Sequence, residues 1–416
     1  MNQKKLVTFV GVSLFFIIII VAVLYFMIFA KDDSVTKIDL VKKSNGEKVT
    51  VAIETKNTEK VSKEKISVSK IKTERLSKKQ IKILWSDQLD NKVEKYIVRK
   101  VDYKNNRKVG KWKTVSTIES DDILDGNYNS VVDFVDKEPH FYKYKVDVIP
   151  KAQYQETEGT EVLAGNVMVC IDPGHFAGKN QSPSEVAYYY SEGDYTIKIG
   201  KQLKKELKKY GISSYLTRNS GKISLHGYTN ENLDYTKISL RGEYAGKNDS
   251  NLFISLHTNA NLDNANGIDT WNQPKSINKT FVFINTVAMA DSGFVNMANA
   301  VGENVTKINY QLGLSSCVNF SKVSEKSISQ WSDAINDRLN SNGTVLKRTE
   351  AGEDYYGVLR GAAQVGVPGF IVEHAFHTNA DMRKEAMNDN MAKLWAKAEA
   401  NGIAYGFGVA GNMEMK

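Results

Sequence analysis

Residues 167–175 read VMVCIDPGH, and that stretch decides the fold of everything after it. Five apolar residues run into Asp-Pro-Gly-His. Pro173 cannot donate to a strand ladder and Gly174 permits a sharp turn, so the pattern predicts a buried strand that stops abruptly and presents His175 at its carboxyl end. In open α/β sheets, ligands and metals gather at that edge. Beyond a polar loop, 176–191, Glu192 opens a helical pattern in which Ile197, Ile199, Leu203 and Leu207 recur up to Gly211. A strand over Ser213–Thr217 and a helix over Lys237–Gly246 are expected next. Asn251–Leu256 then forms a second buried strand ending in His257, and Gly369–Val372 a third ending in Glu373. The alternation predicts an α/β domain with a mostly parallel twisted sheet flanked by helices, which brings His175, Glu192, His257 and Glu373 to one sheet edge.

Two imidazoles and one carboxylate suit Zn2+ with a fourth position left for water. His175, Glu192 and His257 are then the metal ligands, and Glu373 is a separate carboxylate free to move protons. The competing reading, polar residues satisfied at strand ends, stays open on spacing alone. The chain holds two cysteines, Cys170 and Cys317, too few for a thiolate zinc framework. Cys170 lies inside an apolar strand and reads as a core residue, with a disulfide to Cys317 as the alternative.

Working back to the amino end, the 416 residues are too many for one ordinary core. Residues 6–30 carry no charge, and at about 1.5 Å per residue they are long enough to cross a hydrocarbon core of about 30 Å. A cleavable signal would have a shorter apolar run and a small-x-small site, whereas this one ends MIFAKDDS. Lys4 and Lys5 precede the span, so an uncleaved anchor with the bulk of the chain outside the cell is expected. The chain carries a formal charge of +8. Two lysines supply +2 in residues 1–30, 14 basic and 8 acidic residues give +6 in 31–80, and residues 81–160 and 161–416 are each neutral. A basic stem, 31–65, beside a bilayer fits contact with anionic lipid or anionic wall polymers, or a solvated linker. A neutral carboxyl half argues against nucleic acid as a partner.

From 66 to 160 short alternating segments, among them Ile81-x-Ile83-x-Trp85 and Tyr142-x-Tyr144-x-Val146, are separated by Asn, Asp and Gly turns. They predict a small all-β sandwich acting as a spacer. With Trp85, YIVRK and Tyr-x-Tyr-x-Val, this stretch resembles a fibronectin type III domain. A fragment starting near Glu161 is expected to fold alone.

From about Asn166 to Gly408 the chain resembles the zinc-dependent N-acetylmuramoyl-L-alanine amidases called amidase 3. The resemblance rests on IDPGH, Glu192 ahead of an amphipathic helix, YLTR, SLRGEYAGKN, NLFISLHTNA, GIDTW and VPGFIVEHAFHTN, in matching order and spacing. It implies a hydrolase with His175, Glu192 and His257 on zinc and Glu373 as catalytic carboxylate. The bond cut would join the lactyl group of N-acetylmuramic acid to L-Ala in peptidoglycan. Arg241 and Asn259 are candidates for contacting substrate or bracing the site. The chain departs from the family after His175, where Phe176-Ala177-Gly178 replaces a glycine-rich continuation, and Glu185 rivals Glu192 as ligand. Strand alternation turns His374 away from Glu373, so His374 and His377 are expected behind the site or at the surface, not on metal. Residues 312–349 read as an insertion, a lid or a plain surface loop. The rival function is a non-catalytic, membrane-anchored scaffold that only binds peptidoglycan. The Lys-rich composition with six prolines points to a Gram-positive bacterium. Stem-peptide preference, an activating protein and oligomeric state are not legible.

Overall fold

Alternation over Gln80–Ser86 and Phe141–Pro150 buries every second side chain, and these strands form the heart of a β-sandwich. The computed structural model describes residues 63–68, 70–86, 91–119, 128–260, 271, 278–314, 345–350 and 352–411. The 6–30 span, the stem up to residue 62, Cys317 and most of the 312–349 stretch lie outside the described residues, among which no helix is long and apolar enough to cross a membrane.

The strands run in order β1 (Glu64–Ile66), β2 (Ile71–Ser77), β3 (Gln80–Ser86), β4 (Val93–Lys104), β5 (Arg107–Glu119), β6 (Tyr128–Phe134), β7 (Phe141–Pro150), β8 (Tyr154–Glu156) and β9 (Val162–Gly165). One sheet is ordered β2-β3-β6 and the other β5-β4-β7-β9, while β1 pairs with β8. Trp85 meets Tyr96 edge to face at 5.6 Å in the core between them. Asp133 ties the sheets together, accepting from Lys100 Nζ and Tyr144 Oη, each at 2.7 Å. The last sandwich strand, β9, lies beyond the boundary expected at residue 160. It is only four residues long, and its pairing with β7 marks it as part of the sandwich.

The α/β domain follows at once with β10 (Met168–Pro173), α1 (Glu192–Lys209), β11 (Ser213–Leu216), α2 (Asn230–Asp234), α3 (Ser239–Glu243) and β12 (Leu252–Asn259). It continues with β13 (Phe281–Ile284), α4 (Ser292–Gln311), β14 (Val345–Leu346), α5 (Gly357–Gln364), β15 (Gly369–Phe376), α6 (Ala380–Ala386) and α7 (Asp389–Gly406). The sheet order is β11-β10-β12-β15-β13-β14. The first four strands are mutually parallel, β13 runs antiparallel to β15, and β14 is parallel to β13. Thus the tail of the expected insertion, Val345–Leu346, is an edge strand. One face is covered by α7 packed on α1 and α4, the other by α3 and α5. The helix expected over 237–246 is shorter, Ser239–Glu243, and passes into a 3-10 turn. Cys170 is a free, fully buried thiol, pushed above its ordinary pKa by burial.

The sandwich and the α/β domain share a core. Phe141 of β7 is buried in the α/β cluster, with Tyr103 and Leu163 packed against it. Asn166 sits at the junction, where its amide donates to the carbonyls of Lys78, Asp136 and Glu138 and its Oδ1 accepts from the His140 N–H. At the far side the β4–β5 turn binds the end of α7, with Asn105 N–H on Gly408 O and Asn106 N–H on Val409 O, both 2.9 Å.

Candidate metal centre

The parallel register carries the chemistry to one edge. Pro173 is level with Leu256 and His257 with Glu373, so three neighbouring strands end together. Gly174 then turns the chain. A Cβ there would collide with the His257 ring, so only glycine lets the two strand ends converge. His175 takes the left-handed conformation, φ 58°, which costs a non-glycine residue strain and is typical of functional turns.

Helix α1 delivers the third group. Ser191 caps it by accepting from Asp194 N–H, and Glu192 and Asp194 occupy the first turn while Lys208 and Lys209 occupy the last, both favourable to the helix dipole. Glu192 is thereby fixed at the first helical position, buried and pointed at the sheet edge. His175, Glu192 and His257 each offer a donor atom, all within 4.8 Å of one another. His175 Nε2 lies 3.2 Å from Glu192 Oε2, His257 Nδ1 lies 3.0 Å from Glu192 Oε1, and the two rings meet edge to face at 4.8 Å. A buried carboxylate facing two imidazoles is a donor set that fits a divalent cation such as zinc. Glu185, the rival, is exposed and outside this cluster.

Each ligand is braced from behind. Asp234 of α2 lies 3.0 Å from His175 Nδ1, which leaves Nε2 to face the cage. Arg241 holds both acids behind the turn: Nη2 is 2.9 Å from Asp172 Oδ1 and Nη1 3.4 Å from Asp234 Oδ1, and Nη2 also donates to Pro173 O at 2.7 Å. With 1% of its surface exposed, Arg241 is placed to brace the site from behind. Arg218 of YLTR clamps the turn to α1 through the carbonyls of Pro173, Gly174 and Gly193. Glu192 Oε1 accepts from Thr258 N–H at 2.9 Å, and Oε2 accepts from the Asn180 amide at 2.7 Å. Asn259 is turned to its own chain, its Oδ1 accepting from Ala260 N–H.

Electrostatics follow from burial and partners. Burial opposes charge on His175, but the carboxylates of Glu192 and Asp234 outweigh it and lift the imidazole to about 10. Burial likewise opposes the Glu192 charge, and the two histidines overcome it, holding this carboxyl well below the ordinary range. Glu373 is the opposite case: burial first and the Glu192 charge second push it well above the ordinary range, against a weaker pull from His175. Its Oε2 is shut off from solvent and has no hydrogen-bond partner among the described residues. A carboxylate so placed beside an imidazole-lined cage is equipped to hold and release a proton.

The two flanking histidines part ways. His374 is fully buried on the far side of β15, Nδ1 at 2.8 Å from His257 O and Nε2 at 3.0 Å from Glu399. His377 stacks on Tyr190 at 5.7 Å and faces Thr258, with Nδ1 2.9 Å from its carbonyl and 3.0 Å from its hydroxyl. Both are interior residues, so the surface role left open for them does not apply. Asp234, Asn180, Thr258 and Arg218 escaped sequence reasoning. Arg218 in YLTR, Thr258 in NLFISLHTNA and Asp172 in IDPGH at least lie inside quoted motifs, whereas Asp234 and Asn180 left no signal.

A family model described as N-acetylmuramoyl-L-alanine amidase matches residues 169–405, more than half of the chain. No curated protein matches it. Among solved structures, Cwp6 from Clostridium difficile is similar at 20% identity and TM-score 0.38, over 57% of this chain and 29% of that one, so the chain spans less than a third of Cwp6. AmiC2 of Nostoc punctiforme, an N-acetylmuramoyl-L-alanine amidase, is similar at 20% identity and TM-score 0.36, over 58% and 97%. The CwlD amidase of Clostridioides difficile, solved in complex with the GerS lipoprotein, is similar at 16% identity and TM-score 0.39, over 58% and 98%. With the matched residues running from the strand before His175 to the last helix, the chain belongs to the family of N-acetylmuramoyl-L-alanine amidases, which cleave peptidoglycan.

Proposed function

We propose that this chain is a membrane-tethered, zinc-dependent amidase that works outside the cytoplasm on the bond between N-acetylmuramic acid and L-alanine. The observation that carries the reading is the convergence of His175, Glu192 and His257 within 4.8 Å, with the unpartnered Oε2 of Glu373 at the same sheet edge. These three residues would hold the metal. A zinc ion there supplies Lewis acidity, polarising the amide carbonyl and acidifying water. Glu373 takes the proton from the attacking water and hands it to the departing nitrogen of L-alanine, so the C–N bond breaks as a carboxylic acid and a free amine form. Asp234 and Arg241 keep the His175 ring oriented, and Thr258 and Asn180 hold the Glu192 carboxylate.

The uncharged stretch 6–30 after Lys4 and Lys5 supports a single membrane anchor, and the basic stem supports contact with anionic lipid or wall polymer. The three-plus-four sandwich is read as a fibronectin type III-like module. A protein partner is a proposal here too, as the CwlD amidase was solved in complex with a lipoprotein. Digestion of purified wall by the zinc-loaded chain should release L-alanine amino ends, seen by mass spectrometry as intact glycan and free stem peptide. Cleavage of the glycan, or no product from a zinc-loaded sample, would overturn the reading.

A further inference from the structure

Between the sandwich and the α/β domain runs a groove of about 790 Å³, walled on one side by β2 and β9 and on the other by α1 and the start of β11. Its floor includes Val162, Leu163, Ile212 and Leu216, and its rim is basic. Helix α1 alone contributes Lys201, Lys204, Lys205 and Lys208, spaced by three, one and three residues and therefore on one helical face. They span about 10 Å along the axis at ~1.5 Å per residue. All four are exposed, and none forms an ion pair among the described residues. The acid nearest along the helix, Glu206, is held by Lys209 at 2.7 Å. Across the groove stand Lys72 and Arg75, the latter donating to the carbonyls of Asn166, Asn248 and Asp249, and the one acidic side chain of the lining is Glu74. Residues 161–416 carry no net charge, so this concentration of lysine is local and not a by-product of a basic domain.

We infer that the groove binds a linear polyanion, a phosphodiester-linked polyol or sugar chain, laid between the two domains. Three features select that class. Lysine rims recognise phosphates as point charges, without the planar bidentate geometry that arginine gives to carboxylates. The lining contains no Phe, Tyr or Trp, so the stacking platforms used for single-stranded nucleic acid are missing. A concave cleft with an apolar lining admits a chain whose carbons pack within while its phosphates meet the basic rim. Lys201 stands nine residues along α1 from Glu192, about 13 Å further along the axis and half a turn round it, so a chain held in the groove would lie on the other face of the helix from the metal cage.

The test is fluorescence anisotropy of labelled poly(glycerol phosphate) with the full chain in detergent, over a salt series. The combined variant K201Q/K204Q/K205Q/K208Q should weaken binding by about tenfold or more and flatten the dependence of affinity on salt, as expected when phosphate contacts are lost. The variant K198Q/K209Q removes two lysines of the same helix that do not line the groove, and should bind as the wild type does. Thermal unfolding of both variants confirms that the exposed substitutions leave the fold intact. Equal weakening by the two variants, no effect of the four groove substitutions, or lysine-dependent binding to phosphatidylglycerol vesicles but not to the polymer would each overturn the inference.

Discussion

At the scale of single residues, the site depends on which carboxylates are satisfied. Glu192 is surrounded by donors and stays ionised, while Glu373 is half-buried with one oxygen shut off and unpartnered, and holds its proton more tightly. Replacing His175, Glu192 or His257 by Ala should therefore lose zinc and activity together, measured by elemental analysis beside amide cleavage. Glu373→Gln should keep the zinc and lose rate by ~10²–10⁴-fold; full activity in that variant would remove Glu373 from the mechanism. Asp172 poses a different question. Burial alone would raise its carboxyl, but Arg241, Thr217 and Ser255 outweigh burial and leave it below the ordinary value. A depressed folded pKa contributes stability that is present above the unfolded value of ~3.9 and drains as pH falls through the folded one. Asp172→Asn should thus cost about 3 kcal/mol at neutral pH, the low end of the penalty for breaking a buried ion pair, because Arg241 keeps Asp234 as a second carboxylate partner. Its deficit against the wild type should shrink as pH drops below 4. Equal deficits at pH 7 and pH 3 in urea titrations would mean that the pair is not what holds the turn.

Elements matter here through how closely they approach. Strands β10 and β12 converge only because Gly174 leaves room for the His257 ring, and α1 reaches the same point with Glu192 as its first residue. Gly174→Ala would push that ring away from Glu192, so zinc affinity should fall by 10–100-fold, the usual effect of disturbing the support of a metal ligand. Isothermal titration with zinc gives the number, and unchanged affinity would show that the ring has room to spare. Ser191→Ala is milder. It removes the cap of α1 and should cost about 1 kcal/mol, with metal affinity weakened less than by Gly174→Ala.

Over the whole molecule, the sandwich is built into the enzyme domain and is not a loose spacer. Phe141, at the start of β7, puts its side chain into the α/β core, β9 pairs with β7 across the boundary expected at 160, and Asn105 and Asn106 bind the end of α7. A fragment starting at Glu161 would keep β9 without its partner strand and leave the Phe141 pocket empty. It should unfold at a clearly lower temperature than a fragment starting at Glu64, and Phe141→Ala in the longer fragment should cost about 3–5 kcal/mol. Identical melting of the two fragments would restore the spacer view.

Much of this was legible without coordinates, for a physical reason. Strand and helix periodicities are local, and so are the breaks at Pro173 and Gly174; they were enough to place His175, Glu192, His257 and Glu373 on one edge of an α/β sheet, while Glu185 was left as a rival to Glu192 except through the family resemblance. What lies behind that edge was not legible. Asp234 reaches His175 from 59 positions away, Thr258 binds Glu192 from 66, and Arg241 joins Asp172 from 69. None of these pairs has a periodic signature, because each is made when loops and short helices fold over the sheet. The antiparallel β13, the edge strand Val345–Leu346 and the shared core at Phe141 belong to the same class. Local sequence chose the elements and the cation donors; only tertiary packing decided which buried charges brace them and where one domain ends and the next begins.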